Sequence, residues 1–311
     1  SYKPYLRELN KKYPKWVFKP VETGIDFYDA VDGENYSPTV RGTRSAVSST
    51  ASSLLKDKNS GYYDASTKTY TSVDAGFVRA NKVAIAYFMD PRNLMNEENI
   101  FQFELLSFSS SVTVSMVNTL LSGTFMYSTK MNYYDTNGKY ITSNMTYATC
   151  IYNAGKKYNI DPCFLASKIR NEVVSSGGGP SGSVTGKYSG YEGYYNFFNV
   201  GATAGTSPIT NGLKYAKTSG SYGRPWNTPE KSIYGGAEFL ASGYISRGQD
   251  TGYFQRFNVS PYAQSKVYEH QYMSNINGAA AMGYSTYKAY LSEGTLSNAH
   301  TFAIPVFDNM P

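Results

Sequence analysis

The stretch Asp161-Pro162-Cys163-Phe164-Leu165-Ala166-Ser167-Lys168-Ile169-Arg170-Asn171-Glu172 decides how this chain is read. Asp161 suits a helix N-cap, because its carboxylate can accept from backbone N–H groups that the first turn leaves without partners. Pro162 follows at the first helical position, where its missing N–H is no loss and its fixed φ is already helical. Phe164, Leu165, Lys168, Ile169 and Glu172 then recur at three- and four-residue spacings, the period of one helix face. The pattern predicts an amphipathic helix that releases Glu172 on or beside its buried side. Ser175-Ser176-Gly177-Gly178-Gly179-Pro180 opens a Gly/Ser-rich segment over residues 175–190, predicted to be a flexible loop or hairpin hanging over whatever Glu172 faces. Beyond it Tyr191-Glu192-Gly193-Tyr194-Tyr195-Asn196-Phe197-Phe198-Asn199-Val200-Gly201 forms a dense aromatic and amide run.

Outward from this centre, a helix is expected over residues 147–157, and others over 2–12, 229–244 and roughly 271–282, while residues 110–140 hold the run Val112 to Leu121 and then a Gly-, Tyr- and Lys-containing stretch. Asp90-Pro91 closes an ordered apolar run at residues 83–89, since the residue before proline is pushed out of the helical region. Asn96 can cap a further helix, with Glu97 and Glu98 where the helix dipole favours them. Residues 14–18 alternate as a short strand. Residues 37–75, rich in Ser, Thr, Gly and Tyr, read as irregular loop with a turn at Lys58-Asn59-Ser60-Gly61. The best boundary separates an N-terminal lobe, 1–140, from a core, 141–311, and no internal repeat is evident.

The 311 residues suffice to bury a sizeable core, and the 41% hydrophobic and 17% charged content is that of an ordinary folded protein. No apolar run approaches the roughly 20 residues of a membrane-spanning helix. Without an initiator Met or a signal peptide at Ser1, a processed or excised chain is expected. The formal charge of +6 favours an anionic environment. A polyanionic cell wall fits that charge, and no basic run or RNA-binding signature supports nucleic acid. Cys150 and Cys163 are too few for a disulfide scaffold. A bridge between them is geometrically open, and buried thiols are the favoured reading. His270 and His300 lack neighbours at metal-ligand spacing, so no metal and no cofactor are expected.

Tyrosine is the outlier, with 31 residues against two Trp. Its flat apolar face and polar tip suit stacking on sugar rings, and equally suit half-buried packing positions. Glu172, between an apolar face and a Gly-rich loop, would be partly desolvated and so kept protonated as a general acid requires. Its plainer role is a salt bridge to Lys168, one turn earlier. Glu192 is the second carboxylate near in sequence, as a two-carboxyl glycosidase needs, or else a solvated loop residue. Tyr194, Tyr195, Asn196, Phe198, Asn199 and, further on, Gln271 offer rings, hydroxyls and amides suited to N-acetylated sugars. The runs Tyr253-Phe254-Gln255-Arg256-Phe257-Asn258 and His270-Gln271-Tyr272-Met273-Ser274-Asn275 repeat that chemistry. His270 has no nucleophile-elbow Ser or Cys to serve, and packing is its better account.

At these motifs the sequence resembles glycoside hydrolase family 73, the bacterial endo-β-N-acetylglucosaminidases that cut peptidoglycan. Tyr87-Phe88-Met89-Asp90-Pro91-Arg92-Asn93, Ile100-Phe101-Gln102-Phe103-Glu104, the run from Leu165 to Glu172 and the run from Tyr194 to Ala202 carry the likeness. So do Trp226-Asn227-Thr228-Pro229-Glu230, Gly248-Gln249-Asp250-Thr251, His270-Gln271-Tyr272-Met273 and the terminal Ile304-Pro305-Val306-Phe307-Asp308-Asn309-Met310-Pro311. The resemblance implies a mainly α (α+β) fold: a lysozyme-like helical core with a small β-hairpin or loop lobe, an N-terminal lobe packed against it, and a cleft between lobes. It implies Glu172 as the catalytic acid and Tyr272 as a catalytic-site tyrosine, with Glu192 less uniformly placed. The implied enzyme is a secreted, monomeric hydrolase of the cell wall, acting on peptidoglycan strands. A lytic transglycosylase and a non-catalytic wall-binding module are the competing readings, with a nucleic-acid binder a remote third.

Overall fold

The computed structural model describes residues 1–39, 42–59, 61–74, 76–202 and 207–311. In chain order these form α1 (Lys3–Lys12), β1 (Val17–Asp26), α2 (Phe27–Asn35), β2 (Ala46–Ser48), β3 (Tyr63–Asp64) and β4 (Thr69–Tyr70). Then come β5 (Ser72–Asp74), β6 (Phe77–Arg79), α3 (Lys82–Met89), α4 (Val114–Leu120), β7 (Tyr133–Tyr134) and β8 (Tyr140–Ile141). α5 (Tyr147–Tyr158), α6 (Pro162–Val173), α7 (Pro208–Lys217), α8 (Pro229–Gly243), α9 (Gly252–Phe257), α10 (Gly278–Glu293) and β9 (Thr301–Asp308) complete the chain. Two compact units share them: Ser1–Leu105 with Ser246–Lys288 and Thr295–Pro311, and Leu106–Ile245 with Ala289–Gly294.

The first unit is closed by its two ends. β1 and β9 pair in parallel from Val17 opposite Thr301 to Glu22 opposite Val306. Just before β1, Trp16 is 2% exposed and stacks on Tyr13 with ring centroids 4.1 Å apart. Phe101 and Phe302 lie at 5.4 and 5.1 Å from it, and its indole N–H donates to the Leu296 carbonyl at 2.7 Å. Buried tryptophan requires such a partner, so the contact ties the segment before β9 to the segment before β1. The short strand expected at residues 14–18 is therefore the start of a longer one. Pro20 is tolerated in it because, among the described residues, the sheet has two strands, leaving one side of β1 without a ladder.

In the second unit α5 packs against α4, α6 and α8. Thr146 caps α5 through its hydroxyl, and Asn159 ends that helix in the left-handed region (φ 52°). Asp161 accepts from the Phe164 N–H at 2.7 Å and starts α6 as expected. Cys163, Leu165, Ala166, Ile169 and Val173 face inward. Cys150 and Cys163 are both buried thiols, and burial pushes the Cys150 thiol up.

Several expectations are corrected. The division into units differs from a single cut at residue 140, because α4 packs on α5 and α6 while the C-terminal segments return to β1. No α-helix starts at Asn96. Its side chain accepts from the N–H groups of Glu98 and Asn99 (3.1 and 3.0 Å), and only a 3-10 turn at Ile100–Phe103 follows, its four side chains all buried. The helix expected over 271–282 begins instead at Gly278. Upstream, the backbone is hydrogen-bonded to distant chain: Tyr272 N–H to the Gln255 carbonyl, and Ser274 and Ile276 to Ala46. Residues 37–75 contain the short strands β2 to β5, and Ser60 of the expected turn lies outside the described residues.

Gly236, within α8, lies against the Phe198 ring, which a methyl group there would overlap, whereas Gly243 at the end of α8 faces open space. Gly236→Ala should therefore lower unfolding free energy by about 1–3 kcal/mol through overpacking. Gly243→Ala should leave it unchanged or raise it by up to about 1 kcal/mol, since alanine is the better helix former. Denaturant melts of the two variants check the opposite signs.

Candidate active site

Glu172 sits in the last turn of α6 and is half-buried. The final carbonyls of a helix have no intrahelical partner. The Glu172 carbonyl finds one in Asn199 Nδ2, at 2.7 Å, and the same amide donates to the Glu172 carboxylate at Oε2, 3.2 Å. One side-chain amide thus fixes both the helix end and the acid that leaves it. Among the described residues Oε1 takes no hydrogen bond.

Asn199 can do this because its backbone is in the left-handed region (φ 49°), which asparagine tolerates better than most residues. The residues before it are pinned. Tyr195 is buried, its hydroxyl donating to the Tyr134 carbonyl at 2.8 Å and accepting from the Tyr134 N–H at 2.9 Å. Asn196 is 0% exposed; its amide donates to the Val200 and Gly212 carbonyls and its oxygen accepts from the Val200 N–H. The Phe197 N–H donates to Ser232 Oγ at 3.0 Å, and Phe198 packs on Gly236. Tyr195, Asn196 and Phe198, expected as sugar contacts, are thereby corrected to a supporting frame whose polar atoms are spent inside the protein. Tyr194 stays half-buried and faces Lys217, whose ammonium is 5.5 Å from its ring centre.

Lys168, one turn before Glu172, is only 8% exposed. Burial drives its pKa down to about 8, and the Glu172 charge opposes that shift. The expected loop at residues 175–190 begins as a tight turn. Val174 bridges Pro180, the Ser175 N–H donates to the Gly179 carbonyl, and the Gly178 carbonyl accepts from the Phe125 N–H. Glu192 is exposed on a later loop. Hydrogen bonds from its own N–H and that of Gly190 hold its carboxyl below the usual carboxylate range, so it is an ionised turn residue, and no bond links it to Glu172 among the described residues.

The remaining candidates belong to the other unit. Tyr272 is half-buried, and its N–H donates to the Gln255 carbonyl at 2.9 Å. Gln271, expected to meet sugar, has its amide turned inward, donating to the Glu34 carboxylate and to the Phe257 carbonyl at 3.4 Å. His270 is exposed, and its carbonyl accepts from Gln249. The run Tyr253-Phe254-Gln255-Arg256-Phe257-Asn258, read as a second sugar surface, is wholly buried. Glu34 enters no sequence motif, and for Gln249 and Arg256, which lie in quoted runs, only the tertiary fold reveals burial and partners. Among the described residues no group of three or more His, Cys, Asp or Glu could hold a metal ion, and no helix is long and apolar enough to cross a membrane.

This fold is the α+β, lysozyme-like fold of glucosaminidases. It matches the crystal structure of S. aureus glucosaminidase B with a TM-score of 0.60 at 21% identity, covering 94% of each chain. A catalytic mutant of S. aureus autolysin E, solved with the disaccharide NAG-NAM, matches with a TM-score of 0.54 at 22% identity over 87% of this chain and 93% of that one. In sequence, the chain is 30% identical over 209 residues to a bifunctional autolysin of Staphylococcus epidermidis, covering 64% of this chain and 13% of the relative. It is 27% identical over 225 residues to a β-N-acetylglucosaminidase of Bacillus subtilis, covering 71% of this chain and 22% of the relative. The chain thus spans less than a quarter of the length of these curated relatives. No family model matches it. These likenesses bear out the resemblance to the family 73 glucosaminidases carried by the motifs.

The buried Lys168 generates a pH-dependent prediction. At neutral pH the folded chain holds a desolvated ammonium that the unfolded chain solvates. Between about 8 and the unfolded value of 10.5 the folded lysine is neutral while the unfolded one still binds a proton, so stability rises with pH there. Lys168→Met should stabilise the protein at pH 7 by on the order of 2 kcal/mol, with the advantage vanishing towards pH 10.5. Denaturant titrations at pH 7, 9 and 10.5 measure it.

Proposed function

We propose that this chain is an endo-β-N-acetylglucosaminidase that hydrolyses the β-1,4 bond between N-acetylglucosamine and N-acetylmuramic acid in peptidoglycan, with Glu172 as general acid. The observation that carries this reading is the Glu172 carboxylate at the end of α6, held through Oε2 by Asn199 on a rigid frame. A general acid must be fixed within hydrogen-bond reach of the oxygen it protonates, and a tethered carboxylate with one oxygen to spare meets that demand. The named relatives support the same chemistry: two are called autolysin and β-N-acetylglucosaminidase, and the autolysin E structures hold NAG-NAM or a muropeptide.

In this mechanism Glu172 donates its proton to the leaving glycosidic oxygen as the C1–O bond breaks. The developing oxocarbenium ion is met by water, or by the acetamido oxygen of the same sugar, a route that needs no enzyme nucleophile. The exposed, ionised Glu192 gives the second carboxylate role no support, which favours a route with one enzyme carboxyl. Tyr272 is carried as a second catalytic group on the strength of its His-Gln-Tyr context. Tyr194 is the ring retained as a sugar contact. The peptidoglycan strand is the partner, the cell wall is the site of action, and the excess of positive charge suits anionic wall polymers.

Digestion of purified peptidoglycan, followed by borohydride reduction and mass spectrometry, tests the reaction. Wild type should release reducible N-acetylglucosamine ends, and Glu172→Gln should yield almost none. Anhydromuramic ends would indicate a transglycosylase, and an absence of cleavage would leave a binding module. Asn199→Gly keeps the left-handed backbone and strips the amide. It should lower kcat at least about ten-fold through loss of positioning while costing only about 1 kcal/mol of stability. Turnover and thermal melts of the one variant check both halves.

A further inference from the structure

Glu34 in α2 and Arg256 in α9 form an ion pair, Nη1 to Oε2 at 3.2 Å, with both side chains 0% exposed. Taking two charges out of water is costly, and a well-packed apolar substitute is often no less stable, so stability alone is a weak account of such a pair. Its contacts are more telling. Arg256 Nε donates to the Asn275 carbonyl at 3.0 Å, and its Nη2 donates to Ser45 Oγ at 2.9 Å and to the Arg44 carbonyl at 3.3 Å. Glu34 Oε2 accepts from Ser45 Oγ at 3.0 Å, while Oε1 accepts from Gln271 Nε2. The pair therefore grips residues 271 and 275, the two ends of the five-residue stretch that carries Tyr272.

The chain leading into that stretch is held by other buried amides. Asn258 Nδ2 donates to the Lys266 and Glu269 carbonyls at 2.8 and 2.5 Å, and Gln249 Nε2 to the His270 carbonyl at 3.1 Å. Tyr268 and His270 stand at φ 66° and 55°, a region that non-glycine residues keep only when their surroundings impose it. Residues 268–277 form no helix or strand, so these side chains take the place of a regular backbone ladder.

We propose that Glu34 is a positioning residue for catalysis: paired with Arg256, it fixes through Gln271 and Asn275 the backbone that presents Tyr272. The proposal rests on the role given to Tyr272 in the glucosaminidase reading. Burial raises the Glu34 pKa while the Arg256 charge and the Ser45 and Gln271 hydrogen bonds lower it, so the carboxylate depends on those partners.

Gln271→Met tests it, keeping side-chain length and leaving the ion pair intact. Steady-state kinetics on soluble glycan should show kcat reduced about ten- to a hundred-fold with KM within about two-fold, the signature of lost orientation. In a Tyr272→Phe background the same change should add less than about two-fold, because residues acting as one unit are not additive. Glu34→Gln, which keeps an acceptor oxygen for Gln271, should retain more activity than Glu34→Leu, with circular dichroism confirming that both fold. Wild-type kcat in folded Gln271→Met, or losses that multiply with those of Tyr272→Phe, would overturn the proposal. Wild-type kcat in Tyr272→Phe beside an inactive Glu172→Gln would instead remove the Tyr272 role, and this proposal with it, while the glucosaminidase reading stands.

Discussion

A single amide, that of Asn199, joins the end of α6 to the carboxylate of Glu172, and the second unit is arranged around that junction. It satisfies a helix-terminal carbonyl that would otherwise lack a partner and restrains the acid with the same two protons. Asn199 in turn depends on the buried Asn196, which bonds the Val200 and Gly212 carbonyls, and on Phe198, seated where Gly236 leaves room. The aromatic density of residues 194–198 is thus largely a matter of construction. Rings and amides that look suited to sugar are mostly spent holding one asparagine in a left-handed backbone.

The first unit solves a comparable problem in another way. Residues 268–277 carry Tyr272 without helix or strand, and buried polar groups do not stay buried without partners. Gln249, Asn258 and Gln271 donate into that stretch or anchor it, and the Glu34–Arg256 pair holds it at Gln271 and Asn275. Irregular backbone held by side-chain hydrogen bonds can take a shape that a regular ladder forbids, at the cost of depending on each of those side chains. The closure of the unit is equally non-local, since β1 is completed by β9 from the far end of the chain and Trp16 is satisfied by Leu296.

Where structure follows from neighbours in sequence, it was legible. Asp161 with Pro162 marked the start of α6, the three- and four-residue spacing marked its buried face, and α1, α5 and α8 lie close to their expected spans. Asp90-Pro91 ended α3 as the backbone of a pre-proline residue requires. Legibility failed where backbone groups found distant partners. Asn96 looked like a helix cap, yet the Ile100–Phe103 turn has every side chain buried, so no polar face remained for an amphipathic helix. The pattern over 271–282 was helical in composition, but its first residues bond to Ala46 and Gln255.

The sequence by itself determined the helical core, the position of Glu172 at a helix end, and the resemblance borne out by the autolysin and glucosaminidase relatives. These rest on caps, periodicity and ordered motifs, all local properties of the chain. Only the tertiary structure decided which of the polar residues beside that acid face solvent and which are internal scaffolding. Burial and hydrogen-bond partnership arise between residues far apart in sequence, such as Glu34 and Arg256, and no spacing rule encodes them. An asparagine inside the protein and one at its surface read alike in sequence; the carbonyls that surround Asn196 are what set it apart from Asn199.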